Sequence, residues 1–128
     1  MGIWDKILGS GKSEENNAVS WIALQGRDQL RQIALLSGKK PQLIYKHSSS
    51  CGISGMVLNR LEGMLQGDGI GADCYFLDVR RQREISDAIA AQYGVRHESP
   101  QLLIIKNGDV IASASHGAIT GLDLGAHM

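Results

Sequence analysis

The sequence is short of cysteine, of net charge and of long apolar runs, and each shortage removes a class of protein. Its two cysteines, Cys51 and Cys74, are too few for a disulfide scaffold, and too few for a cysteine zinc site unless histidines join them. The four histidines, His47, His97, His116 and His127, do not pair at helical or finger spacing, so no metal is expected. Thirteen Lys and Arg balance thirteen Asp and Glu, so no net field draws in nucleic acid or an anionic membrane. No apolar run approaches the roughly 18 residues a membrane helix needs. Asp5 and Lys6 interrupt the stretch from Met1 to Leu8 that a secretory signal would occupy. A reducing, cytoplasmic setting without integral membrane association is therefore expected.

What is present is the material of one globular domain. The chain has 128 residues, 43% hydrophobic and 20% charged, enough for a core without disulfides or structural metal. Residues Gly9 to Asn17 (GSGKSEENN) are small, polar and turn-forming. They divide the chain into residues 1–18, an N-terminal segment and flexible linker, and residues 19–128, the folded domain. Ahead of the linker, Ile3, Trp4, Ile7 and Leu8 cluster at helical spacing, and docking on the chain's own domain is the plain reading.

Trp21 to Leu24 suits a first strand, and Gly26 to Ser37 follows with Leu30, Ile33 and Ala34 on one helical face. Gln42 to His47 (QLIYKH) is rich in strand formers and ends at three serines. From Gly52 the pattern turns helical, with Ile53, Met56, Val57, Leu61 and Leu65 forming a stripe that closes before Gly67. Cys74 to Val79 is a third strand, and Gln82 to Tyr93 a third helix stopped by Gly94. Gln101 to Lys106 and Asp109 to Ser115 flank Asn107-Gly108, a strong two-residue hairpin signal. Thr120 is positioned to cap a short last helix. Parallel crossovers followed by a closing hairpin predict an α/β thioredoxin-like fold, a central mixed sheet of four to five strands flanked by helices.

Cys51 falls where a strand hands over to a helix. Unpaired N–H groups and the positive end of the dipole there favour thiolate, which is the nucleophile. Lys46 and His47 lie just upstream, and strand alternation sends them to opposite faces, so only one can be close. Three residues after Cys51 stands Ser54 where a resolving cysteine would be. A hydroxyl can bond the sulfur but cannot expel a bound thiol, so release requires an external thiol. Cys74 begins the third strand, at the far end of a segment spanning roughly 17 to 20 Å, whereas a disulfide needs Cα atoms within about 7 Å. Core packing is its expected role. Ser99-Pro100 precedes the fourth strand, where a cis bond would turn the Ser99 backbone toward the cysteine, and an ordinary trans proline is the default. His97 and His116 bracket the last hairpin, and spacing alone does not separate a site role from a surface one. Arg80, Arg81 and Arg83 form a small basic patch that an anionic thiol would welcome.

Several segments together resemble a known family. Lys46-His47-Ser48, Cys51-Gly52-Ile53-Ser54, Tyr93-Gly94-Val95, His97-Glu98-Ser99-Pro100-Gln101, Asn107-Gly108 and Ser115-His116 are similar to the YtxJ-like monothiol bacilliredoxins, over roughly Trp21 to Ile119. The resemblance implies a thioredoxin-like fold, a cis Pro100 and removal of bacillithiol from protein mixed disulfides. Cys51 matches the family's nucleophile, Ser54 its usual serine, and Pro100 the proline facing them. Lys46, His47, Gly52, Ile53, Ser99, Pro100 and His116 are expected to bind substrate. Gly52 replaces the proline common after the cysteine, giving CGIS, close to the CGFS of monothiol glutaredoxins, which bind an iron-sulfur cluster with glutathione. The ending after Thr120 is shorter than the family's final helix.

The expectation is a monothiol thiol-disulfide oxidoreductase with bacillithiol as co-substrate and bacillithiolated proteins as clients. The alternatives are a 2Fe-2S cluster carrier with Cys51 as ligand, and a non-enzymatic adaptor with an unreactive Cys51.

Overall fold

The computed structural model describes residues 19–48, 52–67 and 71–127. The segment 1–18 and Cys51 lie outside the described residues. The elements run β1 (Trp21–Ala23), α1 (Asp28–Leu36), β2 (Gln42–His47), α2 (Ser54–Gly67), β3 (Asp73–Asp78), α3 (Arg83–Tyr93), β4 (Gln101–Lys106) and β5 (Asp109–Ser115). A 3-10 helix (His116–Gly121) and a short α4 (Leu124–His127) complete the chain.

The five strands form one sheet in the order β1-β3-β2-β4-β5. β1, β3 and β2 are parallel, and β4 and β5 follow antiparallel. The carboxyl ends of β1, β3, β2 and β5 therefore share one edge with the start of β4. β2 and β4 are buried on both faces, with apolar runs at Leu43–Tyr45 and Leu102–Ile105, whereas the outer β5 alternates.

Alternation along β2 sends its side chains into two cores. Leu43 and Tyr45 join Trp21, Phe76, Val57, Leu61 and Ile119 on the face covered by α2 and the 3-10 helix. Ile44 joins Leu30, Ile33, Leu77, Ile85 and Ile89 under α1 and α3. Each fully buried Leu or Ile stabilises the fold by about 1.5–3 kcal/mol. Trp21 is further fixed by an indole N–H donated to Glu62 Oε2 at 2.7 Å.

Punctuation follows the turn chemistry. Gly94 ends α3 at φ 68°, donating its N–H to Ala90 O, a left-handed position that favours glycine. Asn107 (φ 51°) and Gly108 (φ 82°) make the hairpin turn with both residues left-handed. That turn is latched to the end of α1, where Asn107 N–H reaches Ser37 O and Gly108 N–H reaches Ser37 Oγ, both at 2.8 Å.

The C-terminal end differs from the expectation. Thr120 lies inside the 3-10 helix and donates its hydroxyl to Gly117 O at 2.9 Å. Asp123 instead stands before α4, its Oδ1 accepting the Ala126 N–H at 3.3 Å. Buried Ile119 and Leu124 hold the chain on the α2 core, and the tight 3-10 turn lets both reach it.

Candidate active site

The shared edge collects Lys46, His47, Ser54, Pro100 and His116, while Cys51 lies outside the described residues. Ser54 is the first residue of α2 and buried. Its Oγ accepts the Ser48 N–H at 3.4 Å, and its carbonyl accepts the Tyr45 hydroxyl at 3.2 Å. The end of β2 and the start of α2 are thus tied across the intervening residues. The Ser54 hydroxyl accepts there, and its own proton meets no acceptor among the described residues. Gly52 is exposed, with nothing within 4 Å of the place a Cβ would take, so packing does not demand glycine there. Ile53 packs partly buried against the α2 core.

Lys46 and His47 part company as alternation requires. His47 is half-buried on the α2 face, its ring 5.1 Å from Phe76 and 5.9 Å from Tyr45. Its Nδ1 is buried and has no hydrogen-bond partner among the described residues. Burial lowers its pKa, and Asp78, its register partner on β3, pulls the other way. Lys46 points to the opposite face and is 0% exposed. Its Nζ donates to Ser86 O on α3 at 3.2 Å. Burial, offset in part by Asp87 and helped by Arg83, lowers its pKa to about 8. Expected at the substrate, the ammonium instead meets a helix carbonyl away from solvent.

The loop into β4 is pinned at several residues. Ser99–Pro100 is cis, as the family resemblance implies and against the trans default. Pro100 O accepts the His116 N–H at 2.8 Å, which places exposed His116, at φ 56°, beside it. Glu98 takes a hydrogen bond from Ser115, the main reason its pKa is lowered. Buried Gln101 donates to Arg96 O at 2.9 Å and to Ser115 Oγ at 3.3 Å, closing the loop on itself. His97 Nδ1 lies 2.8 Å from Ser86 Oγ.

Ser86 was not singled out from sequence, and Gln101 entered only as the end of the family-like segment His97–Gln101, with no role given to it. Ser86 follows Ile85 and precedes Ile89 by three, so it shares their inward face, and a hydroxyl in that stripe is the signal for it. Gln101 is likewise a polar residue opening an apolar run.

The basic patch divides. Arg83 pairs with Asp87 at 3.2 Å along the exposed side of α3. Arg81, with Gln25, Asp78 and Gln82, lines a cavity of about 310 Å³ at the ends of β1 and β3, on the same edge. Cys74 sits at the opposite edge in the α2 core, its thiol pushed up to about 11 by burial, then by Asp73. It packs as expected and offers no accessible thiolate.

Comparisons with known proteins agree with this architecture. A structure described as a thioredoxin-fold protein with a suggested oxidoreductase role is 31% identical, with 84% of this chain and 93% of that one covered and a TM-score of 0.71. Thioredoxin from Malassezia sympodialis is 24% identical, with 84% and 89% covered and a TM-score of 0.64. Thioredoxin from Trypanosoma brucei brucei is 13% identical, with 84% and 88% covered and a TM-score of 0.67. These two share the fold. The family model described as monothiol bacilliredoxin BrxC matches residues 22–124, nearly the whole described chain, and its members are thiol oxidoreductases of thioredoxin fold. The chain belongs to the monothiol bacilliredoxin family.

Proposed function

We propose that the protein removes bacillithiol from client proteins by two thiol exchanges at Cys51. The Cys51 thiolate attacks the bacillithiol sulfur of a client mixed disulfide, the client–bacillithiol S–S bond breaks, and the client thiolate leaves and takes a proton. Cys51 is left bacillithiolated. A second bacillithiol thiolate then attacks the bacillithiol sulfur on Cys51, releasing oxidised bacillithiol disulfide and restoring the thiolate.

The observation that carries this reading is the absence of a usable second thiol around Ser54. Ser54 occupies the first residue of α2, and Cys74 is buried at the other edge with a raised pKa. An external thiol must therefore complete the cycle. Ser54 would donate its proton to the Cys51 sulfur. Gly52, Ile53, Ser99, Pro100 and His116 would line the path of the substrate backbone, with His47 as a neutral wall on the α2 face. The reading places the protein in a reducing cytoplasm, with residues 19–128 as the working domain and residues 1–18 as an appended segment. Among the described residues no helix is long and apolar enough to cross a membrane.

Intact mass spectrometry tests it. Reduced protein is mixed with a bacillithiolated client, beside a glutathionylated client and the Cys51→Ser variant. Transfer of bacillithiol to Cys51 with client release, weaker transfer of glutathione and none in the variant is the expected result. Transfer that survives Cys51→Ser removes the nucleophile assignment. No transfer at all, with a visible iron-sulfur spectrum after anaerobic purification, replaces exchange with cluster carriage.

A further inference from the structure

Lys46 is a buried cation that the exchange steps do not use. It is wholly buried, and among the described residues its ammonium has one hydrogen-bond partner, the neutral Ser86 carbonyl, and no ion pair. Desolvating an ammonium without a carboxylate is costly, and an apolar side chain would fill the same space without that cost. A function for the charge is the simplest reason to find it there.

Ser86 connects that charge to the site. Its carbonyl takes the Lys46 ammonium, and its hydroxyl lies 2.8 Å from His97 Nδ1. One residue of α3 is thereby gripped from the end of β2 and from the loop that leads into Pro100. The charges facing the imidazole are Lys46 from β2, Arg83 and Asp87 from α3, and Glu98 from its own loop. Burial first, then the two cations, outweigh the carboxylates and hold His97 below its ordinary value, so the ring is neutral at physiological pH.

A neutral imidazole has one N–H and must choose which nitrogen carries it. With the proton on Nδ1, the positive end of the N–H dipole would be turned to Ser86, the residue whose carbonyl already holds the buried ammonium. With the lone pair there, the negative end is turned to that side and the Ser86 hydroxyl donates to Nδ1. The second arrangement wins on electrostatics, and it leaves the proton on Nε2. That nitrogen has no hydrogen-bond partner among the described residues, and the His97 side chain is only half-buried.

We propose that Lys46 and Ser86 are positioning residues that fix His97 as its Nε2–H tautomer, so that a neutral donor stands on the loop that leads into Pro100 for an acceptor on the thiol-bearing substrate. The role of the donor rests on the exchange reading above, while the tautomer does not. A neutral donor keeps its proton throughout the range in which the nucleophilic thiol ionises, so substrate binding and thiolate formation are separated.

Nitrogen NMR of the full chain, labelled at histidine, reads the tautomer without turnover. The wild type is expected to show an unprotonated Nδ1 and a protonated Nε2 at His97 from about pH 6.5 to 8. Ser86→Ala is expected to give a mixture of tautomers, and Lys46→Met to raise the His97 pKa. A wild-type proton on Nδ1, or a tautomer indifferent to Ser86→Ala, overturns the positioning role. In kinetics, His97→Ala is expected to raise KM for the mixed disulfide about fivefold, the worth of one neutral hydrogen bond, with kcat and the pH profile of Cys51 alkylation unchanged. His97→Gln, which keeps a donor, is expected to recover most of that loss. An unchanged KM in His97→Ala overturns the substrate contact. Should no bacillithiol exchange occur in the wild type, the exchange reading falls and the NMR result alone still decides the roles of Lys46 and Ser86.

Discussion

Burial sets the reactivity of Cys74. Its pKa is pushed up to about 11 from an ordinary 9.0, which lowers its thiolate fraction at pH 8 about a hundredfold. Iodoacetamide at pH 8 should therefore add one label to the native protein, at Cys51, and a second only after denaturation, as counted by intact mass. Rapid double labelling would contradict the burial of Cys74. The burial of Cys74 was readable from sequence, because a cysteine at the start of a parallel strand lies at the edge opposite Ser54 and Pro100. Lys46 was not. Alternation assigned it a face, but whether α3 met it with a carboxylate or a carbonyl depended on Ser86, 40 residues away. The link from Ser86 to His97 was hidden for the same reason, since a helical hydroxyl gives no sign of the loop that will reach it.

At the scale of elements, the latch between α1 and the β4–β5 hairpin ties residues 71 apart in sequence. Ser37 is buried, so Ser37→Ala leaves the Gly108 N–H without its side-chain acceptor and should cost about 1 kcal/mol. Urea denaturation reads that loss. Exchange activity should be unaffected, because the hairpin turn lies at the edge of the sheet away from Ser54 and Pro100. Gly94→Ala should cost a similar amount, about 1 kcal/mol. There the expense is purely the left-handed backbone, since a Cβ at Gly94 meets nothing within 4 Å. Asn107-Gly108 and Gly94 announced themselves because their conformations exclude most other residues. The 3-10 helix did not, because its formation depends on Ile119 and Leu124 finding the α2 core rather than on any local preference of Thr120.

For the whole molecule, the buried lysine sets a pH dependence of stability. Lys46 titrates near 8 in the fold and near an ordinary 10.5 when unfolded. Between those values the unfolded chain binds the extra proton, so stability rises with pH across that window. The full penalty present below pH 8 is at most about 3 kcal/mol. Cys74 acts in the opposite sense: its folded pKa is raised from 9.0 to about 11, so stability falls as pH climbs between those values. Comparing wild type with Lys46→Met isolates the lysine. The variant should be at least as stable at pH 7, and its advantage should shrink by pH 10 in paired thermal melts. An advantage that is constant across pH would mean that Lys46 titrates alike in both states. The register of β2 has one more consequence. Tyr45 and His47 face α2 while Ile44 and Lys46 face α3, and a slip of one residue would exchange the two sets. A mispaired chain would bring an ammonium to Trp21 and Phe76 and expose core side chains to the wrong helices. A slip that displaces Lys46 and His47 is thus a slip that also mispacks both cores, and a chain that folds carries each of the two side chains on its own face.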